Sequence, residues 1–152
     1  QDEVLRVDGK GRAFLKIEAG GSMLPASSKT VDERKHFLHQ EGRSVFKFAV
    51  SNMSSAINQI LDQNNLTKND IDYVVAHQAN KRILDAIAKN LDLNYGQMLV
   101  NIERYGNTTA ATLPLLLWDY ESKLKKNQKL LFTAFGGGFT WGATYLTWAY
   151  NT

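Results

Sequence analysis

His77 closes an apolar run, Tyr73-Val-Val-Ala76, and leads into Gln78-Ala-Asn80. An imidazole at such a place can donate a hydrogen bond or move a proton near neutral pH. A histidine satisfied by nearby backbone would read the same way. Asn107 follows Gly106 where another apolar stretch gives way to a helix-forming one. Its carboxamide offers a hydrogen-bond donor, although capping alone would account for an asparagine there. Three glycines, Gly136 to Gly138, separate Leu130-Leu-Phe-Thr-Ala-Phe135 from a run rich in aromatic and β-branched residues. Main chain without Cβ atoms can bring an N–H against a bound carbonyl, as half of an oxyanion hole. A plain glycine-rich bulge is the other reading. A phosphate loop is excluded: Trp141 occupies the last glycine position of G-x-G-x-x-G, and no Gly-Lys-Ser/Thr follows.

Other candidates are weaker. His36 and His39 are three apart and lack a third ligand, so no metal site is expected. No Gly-x-Ser-x-Gly elbow occurs. Trp118, Trp141 and Trp148 read as core. Lys47, Lys81, Arg82 and Lys89 lie on the two helices flanking His77, as a solvated face or a landing place for an acidic protein.

The elements that must position these groups follow from periodicity. Ala13–Ala19 alternates as a strand and ends at Gly20-Gly21, and residues 22–41 read as a long loop, a feature more often functional than idle. Apolar residues at helical spacing predict a helix over 43–63. A buried strand over 71–76, a helix over 79–91 and a strand over 98–103 come next. A helix over 108–125 is expected to kink at Pro114. Strands over 130–135 and 143–150 end the chain. The order β-α-β-α-β-α-β-β means an α/β layer with a largely parallel sheet. All three candidate groups then sit at the carboxyl ends of strands, where open α/β sheets hold their ligands.

The 152 residues suit one domain, and 43% hydrophobic with 22% charged residues is globular rather than disordered. No apolar run reaches the roughly 20 residues of a membrane span. The absence of cysteine excludes disulfides, zinc-thiolate sites and a cysteine nucleophile within this chain. A net charge of +3, without any block of like charges, gives no reason to expect nucleic acid. The opening Gln-Asp-Glu-Val lacks the pattern of a signal peptide, and the expectation is a processed or excised piece.

Together HQANKRI (77–83), RYGNTTAAT (104–112) and FGGGFTWG (135–142) closely resemble the thiolase-superfamily condensing enzymes, nearest to the 3-oxoacyl-[acyl-carrier-protein] synthase III family. The resemblance runs from about Gly42 onward, and residues 1–41 match loosely. It implies the C-terminal half of such an enzyme: a five-stranded mixed sheet with flanking helices, one of two similar halves in an α-β-α-β-α sandwich. It implies a cytoplasmic homodimer whose nucleophilic cysteine lies in the N-terminal half, so that this piece alone condenses nothing. Acyl carrier protein and acyl-coenzyme A are the implied partners, with coenzyme A thioester as substrate and no cofactor. By the same resemblance His77 and Asn107 belong to a Cys-His-Asn triad, and Gly137 supplies an oxyanion N–H. Phe46, Ala79, Asn80, Gly106 and Phe135 would contact the substrate and coenzyme A, and Lys47 and Arg82 would dock the carrier protein. Arg43 stands where a small polar residue is usual, and Thr109 replaces a common serine. A synthase of secondary metabolites and a non-catalytic binding or dimerisation module are the alternatives.

Overall fold

The computed structural model describes residues 2–151. The chain runs through β1 (Glu3–Val7), β2 (Leu15–Ile17), α1 (Ser28–Asp32), β3 (Leu38–Gln40), α2 (Gly42–Gln63), β4 (Tyr73–Ala76) and α3 (Lys81–Asn90). It continues through α4 (Ile102–Tyr105), α5 (Thr112–Tyr120), β5 (Lys129–Gly136) and β6 (Thr140–Thr147). Four strands form the main sheet in the order β1-β6-β5-β4, with β4 and β5 parallel and the other pairs antiparallel, so the sheet is mixed and not largely parallel as the element order suggested. β2 and β3 form a separate antiparallel pair.

The α/β class and the elements from α2 to β4 follow the periodicity. The differences lie elsewhere. The first stretch is more than a strand and a loop: β1 adds to the edge of the sheet beside β6, while β2 and β3 pair locally outside it. Residues 9–13 form a 3-10 turn in which Gly11 lies against Phe139, and this shortens the expected strand over 13–19. The fifth strand of the expected sheet, the one over 98–103, is reduced to one parallel bridge of Met98 with Val74, so the main sheet has four strands rather than five. The chain turns into α4 at Ile102, inside the span expected to be strand. Beside the bridge, the buried Gln97 side chain donates to Ile71 O (2.6 Å) and Lys68 O (3.0 Å) and accepts from Asn94 N (2.6 Å).

The helix over 108–125 is also shorter. A 3-10 turn at Thr109–Ala111 precedes α5, and a second follows it. Pro114 is the third residue of α5, in the first turn, so the missing N–H costs no interior bond and no kink is called for.

The core lies on one side of the sheet, under α2 and α3. Met53, Ile57, Ile60, Leu84 and Ile87 are buried there with Leu131 and Ala143. Each such side chain contributes on the order of 1.5–3 kcal/mol. β4 is buried on both faces, because Leu116 of α5 covers Val75 and Leu99 on the other side. The rest of that second face, carrying Phe132, Ala134 and Thr144, is only half-buried. Trp118, expected in the core, points outward from α5 and is 75% exposed.

Two glycines at the β5–β6 end differ in what they permit. A Cβ on Gly142 would come within 2.7 Å of Val4 O, and that oxygen belongs to the β1 backbone. A Cβ on Gly137 would meet nothing nearer than 3.7 Å. Gly142→Ala is therefore expected to destabilise the fold by about 1–3 kcal/mol, and Gly137→Ala to leave the denaturant midpoint nearly unchanged. Equal midpoints for the two variants would contradict the β1–β6 register.

Candidate functional site at the carboxyl edge of the sheet

Parallel pairing brings the ends of β4 and β5 to one edge. His77 is the first residue beyond β4, and its N–H donates to Thr133 O (2.9 Å), which carries the ladder one step further. Gln78 is 1% exposed and fully employed: Nε2 donates to Ala76 O (2.9 Å) and Leu99 O (3.3 Å), and Oε1 accepts from Asn101 N (3.1 Å). This amide ties the junction after β4 to the segment that leads to Asn107. Asn101 in turn donates to Asp119 (2.8 Å), which also pairs with Arg104 (2.9 Å).

Gly106 makes the reversal out of α4 at φ +66, a conformation that favours glycine. Asn107 follows, and its Oδ1 accepts from Thr109 N (2.9 Å). With the carbonyl end so employed, the carboxamide NH2 has no acceptor among the described residues and stays available to a ligand. The expected cap is therefore a local turn ahead of the 3-10 segment, whose N-cap is Thr108, and turn and donation use opposite ends of the amide.

Two hollows meet at this edge. One, of about 880 Å³, is bounded by α2, the start of α3 and the β2–β3 pair. Phe46, Ala79 and Asn80 line it, as do Lys16, Arg43 and Arg82, and no carboxylate does. The other, of about 650 Å³, opens on the half-buried sheet face beside Leu5, Leu113 and Phe132. His77, Asn107, Phe135 and Gly137 line both. The structure therefore brings the imidazole, the carboxamide and the glycine main chain to a common rim.

The remaining expected site residues are placed differently. Gly106 lies off the lining of both hollows and serves the turn. Asn80 also caps α3, accepting from Arg82 N (2.9 Å). Arg82 is exposed at the mouth with its guanidinium 5.7 Å from the Phe46 ring centroid, and Lys47 is exposed on α2 away from the lining. His36 bonds Thr30 Oγ1 (2.9 Å) while His39 lies in β3, so the two share no helix face. No group of three or more metal-binding side chains occurs among the described residues. Leu15, Lys16 and Ile17, from the expected strand over 13–19, and Leu38 and Gln40, from the expected loop over 22–41, together form a cleft wall that periodicity did not reveal.

Burial lowers the pKa of His77 below its ordinary value, so the ring is neutral at neutral pH. Nδ1 lies 2.6 Å from Thr112 Oγ1, and Nε2 has no partner among the described residues. The rim thus offers a neutral imidazole, a free amide NH2 and exposed main chain. These groups can hold a carbonyl oxygen and stabilise negative charge that develops on it.

The architecture is that of the thiolase-like condensing type, as solved structures show. The crystal structure of 3-oxoacyl-(acyl carrier protein) synthase III, FabH, from Pseudomonas aeruginosa matches with a TM-score of 0.84 at 34% identity, over 99% of this chain and 44% of that one. The priming β-ketosynthase of the R1128 polyketide pathway matches at 0.83 and 25% identity, over 99% and 45%. Beta-ketoacyl-[acyl-carrier-protein] synthase III 2 of Bacteroides thetaiotaomicron is 57% identical over 150 residues, covering 99% of this chain and 45% of that protein. The family model for the 3-oxoacyl-[acyl-carrier-protein (ACP)] synthase III C terminal matches residues 61–148. The chain belongs to that family. It spans about half the length of the curated relatives it matches.

A lowered pKa in the folded state means that the unfolded chain binds more protons below its own value of about 6.5. The contribution of His77 to stability is whole above that pH and is lost as pH falls through the window below it. A proton titration of the ring by NMR should give a midpoint below 6.5, and the unfolding midpoint should drop over the same range. A ring titrating at or above 6.5 would contradict the buried, neutral imidazole.

Proposed function

We propose that this chain is the C-terminal half of a β-ketoacyl-[acyl-carrier-protein] synthase III, an acyltransferase of fatty-acid biosynthesis. The reaction is a decarboxylative Claisen condensation of an acyl-coenzyme A with malonyl carrier protein. The observation that carries this reading is the common rim: His77, Asn107 and Gly137 come from three separate junctions and line the same two hollows. The cationic side chains at the larger hollow suit the phosphates of coenzyme A.

In the proposed cycle an acyl group first passes from coenzyme A to a cysteine of the N-terminal half. His77 and Asn107 then donate hydrogen bonds to the thioester carbonyl of the malonyl group. The bond to the carboxylate breaks, carbon dioxide leaves, and the electron pair forms an enolate stabilised by those donors. The enolate carbon attacks the acyl-cysteine carbonyl. The tetrahedral oxyanion rests on the Gly137 N–H and on the cysteine's own N–H, and collapse expels the thiolate. One preorganised donor of this kind is worth on the order of 10² to 10³ in rate.

The half-buried sheet face with its 650 Å³ hollow supports a place for the N-terminal half, without which the chain is inactive. A cytoplasmic homodimer remains part of the proposal. Likeness to the R1128 priming enzyme supports a second reading, a synthase of polyketide starters, which differs in the acyl group accepted. A binding or dimerisation module would share the fold and make no use of the rim.

Co-expression with a cysteine-bearing N-terminal half tests the chemistry. His77→Ala or Asn107→Ala should lower malonyl decarboxylation by about 10²-fold or more. Full turnover in both variants would favour the module. Arg82→Glu should weaken carrier-protein binding at low salt and flatten its salt dependence, measured by titration at two ionic strengths. Unchanged affinity at low salt would take Arg82 out of the docking face.

A further inference from the structure

Thr112 stands at the first position of α5 and is 2% exposed. Its Oγ1 lies 2.6 Å from His77 Nδ1 and 2.9 Å from Thr109 O. A hydroxyl has one proton and can give it to only one of these acceptors. Two arrangements follow. If the proton goes to Thr109 O, then Nδ1 must carry the ring hydrogen and donate to Oγ1, and Nε2 is left as a bare acceptor. If the proton goes to Nδ1, the ring hydrogen sits on Nε2 and can be donated.

Two features favour the second arrangement, and a third leaves the choice to the hydroxyl. Thr109 O already accepts from the backbone N–H of Thr112, so releasing the hydroxyl leaves no orphaned carbonyl. At 2.6 Å the contact to Nδ1 is shorter than an N–H donor usually makes and suits a hydroxyl donor. Thr112 is shut away from water, and no other described group bonds Nδ1, so the hydroxyl alone decides the state of that nitrogen. We propose that Thr112 is a positioning residue that holds His77 in its Nε2–H form by donating its hydroxyl proton to Nδ1. Its consequence for catalysis rests on the reading of His77 as a donor to the thioester carbonyl; the tautomer itself does not.

Long-range proton–nitrogen NMR on the labelled chain near pH 7.5 identifies the protonated ring nitrogen. The wild type and Thr112→Ser should show hydrogen on Nε2 of His77, and Thr112→Val should show it wholly or partly on Nδ1. Hydrogen on Nδ1 in the wild type would overturn the proposal, and so would an unaltered tautomer in a folded Thr112→Val. Should Thr112→Val fail to fold, the wild type and Thr112→Ser decide alone. With the N-terminal half present, Thr112→Val should lower kcat for malonyl decarboxylation about 10- to 100-fold with KM little changed, and Thr112→Ser should restore it. A lost Nε2–H form with unchanged kcat would uphold the tautomer lock and sink the donor role of His77.

Discussion

The parallel ladder between β4 and β5 is the constraint from which the site follows. Two strands that run the same way must end at the same edge, so whatever follows Ala76 and whatever follows Phe135 become neighbours. The bond from His77 N–H to Thr133 O carries that registration into the site itself. A slip of one residue would turn the imidazole to the opposite face. The apolar run Tyr73–Ala76, sealed between α2 on one side and α5 on the other, resists such a slip.

Buried amides extend this order to the third junction. Gln78 saturates its side chain between β4 and the segment at Leu99 and Asn101. Gln97 does the same between that segment and the turn before β4. A buried amide with every partner present is directional in a way that apolar packing is not, and an unmet one would be costly. These two polar residues thus pin the path toward Asn107. Economy also shows in Asn107, where one end of the amide shapes the turn and the other faces the hollow.

The glycines divide along similar lines. Gly138 has φ +146, a conformation that L side chains rarely adopt, and Gly142 leaves room for the β1 backbone. Gly137 answers to no such demand within this chain, since a Cβ there would find ordinary space. Its main chain is exposed at the rim, where the proposed oxyanion contact would use it.

The sequence by itself determined the α/β class, the long helix over 43–63, the buried strand before His77 and the strand-end placement of the three motifs. Those features depend on local periodicity and on turn residues, which a single chain displays openly. Only the tertiary structure decided that β1 joins the edge beside β6, that the fifth strand shrinks to one bridge and that Trp118 faces outward. The same holds for the cleft wall from β2 and β3, and for the contact of Thr112 with His77 across 35 residues. Each of these is a pairing between segments far apart in the chain, where the energy comes from a partner that local pattern does not name. Thr112 shows the difference most plainly: inside the expected helix over 108–125 nothing marks it until the fold sets an imidazole against it.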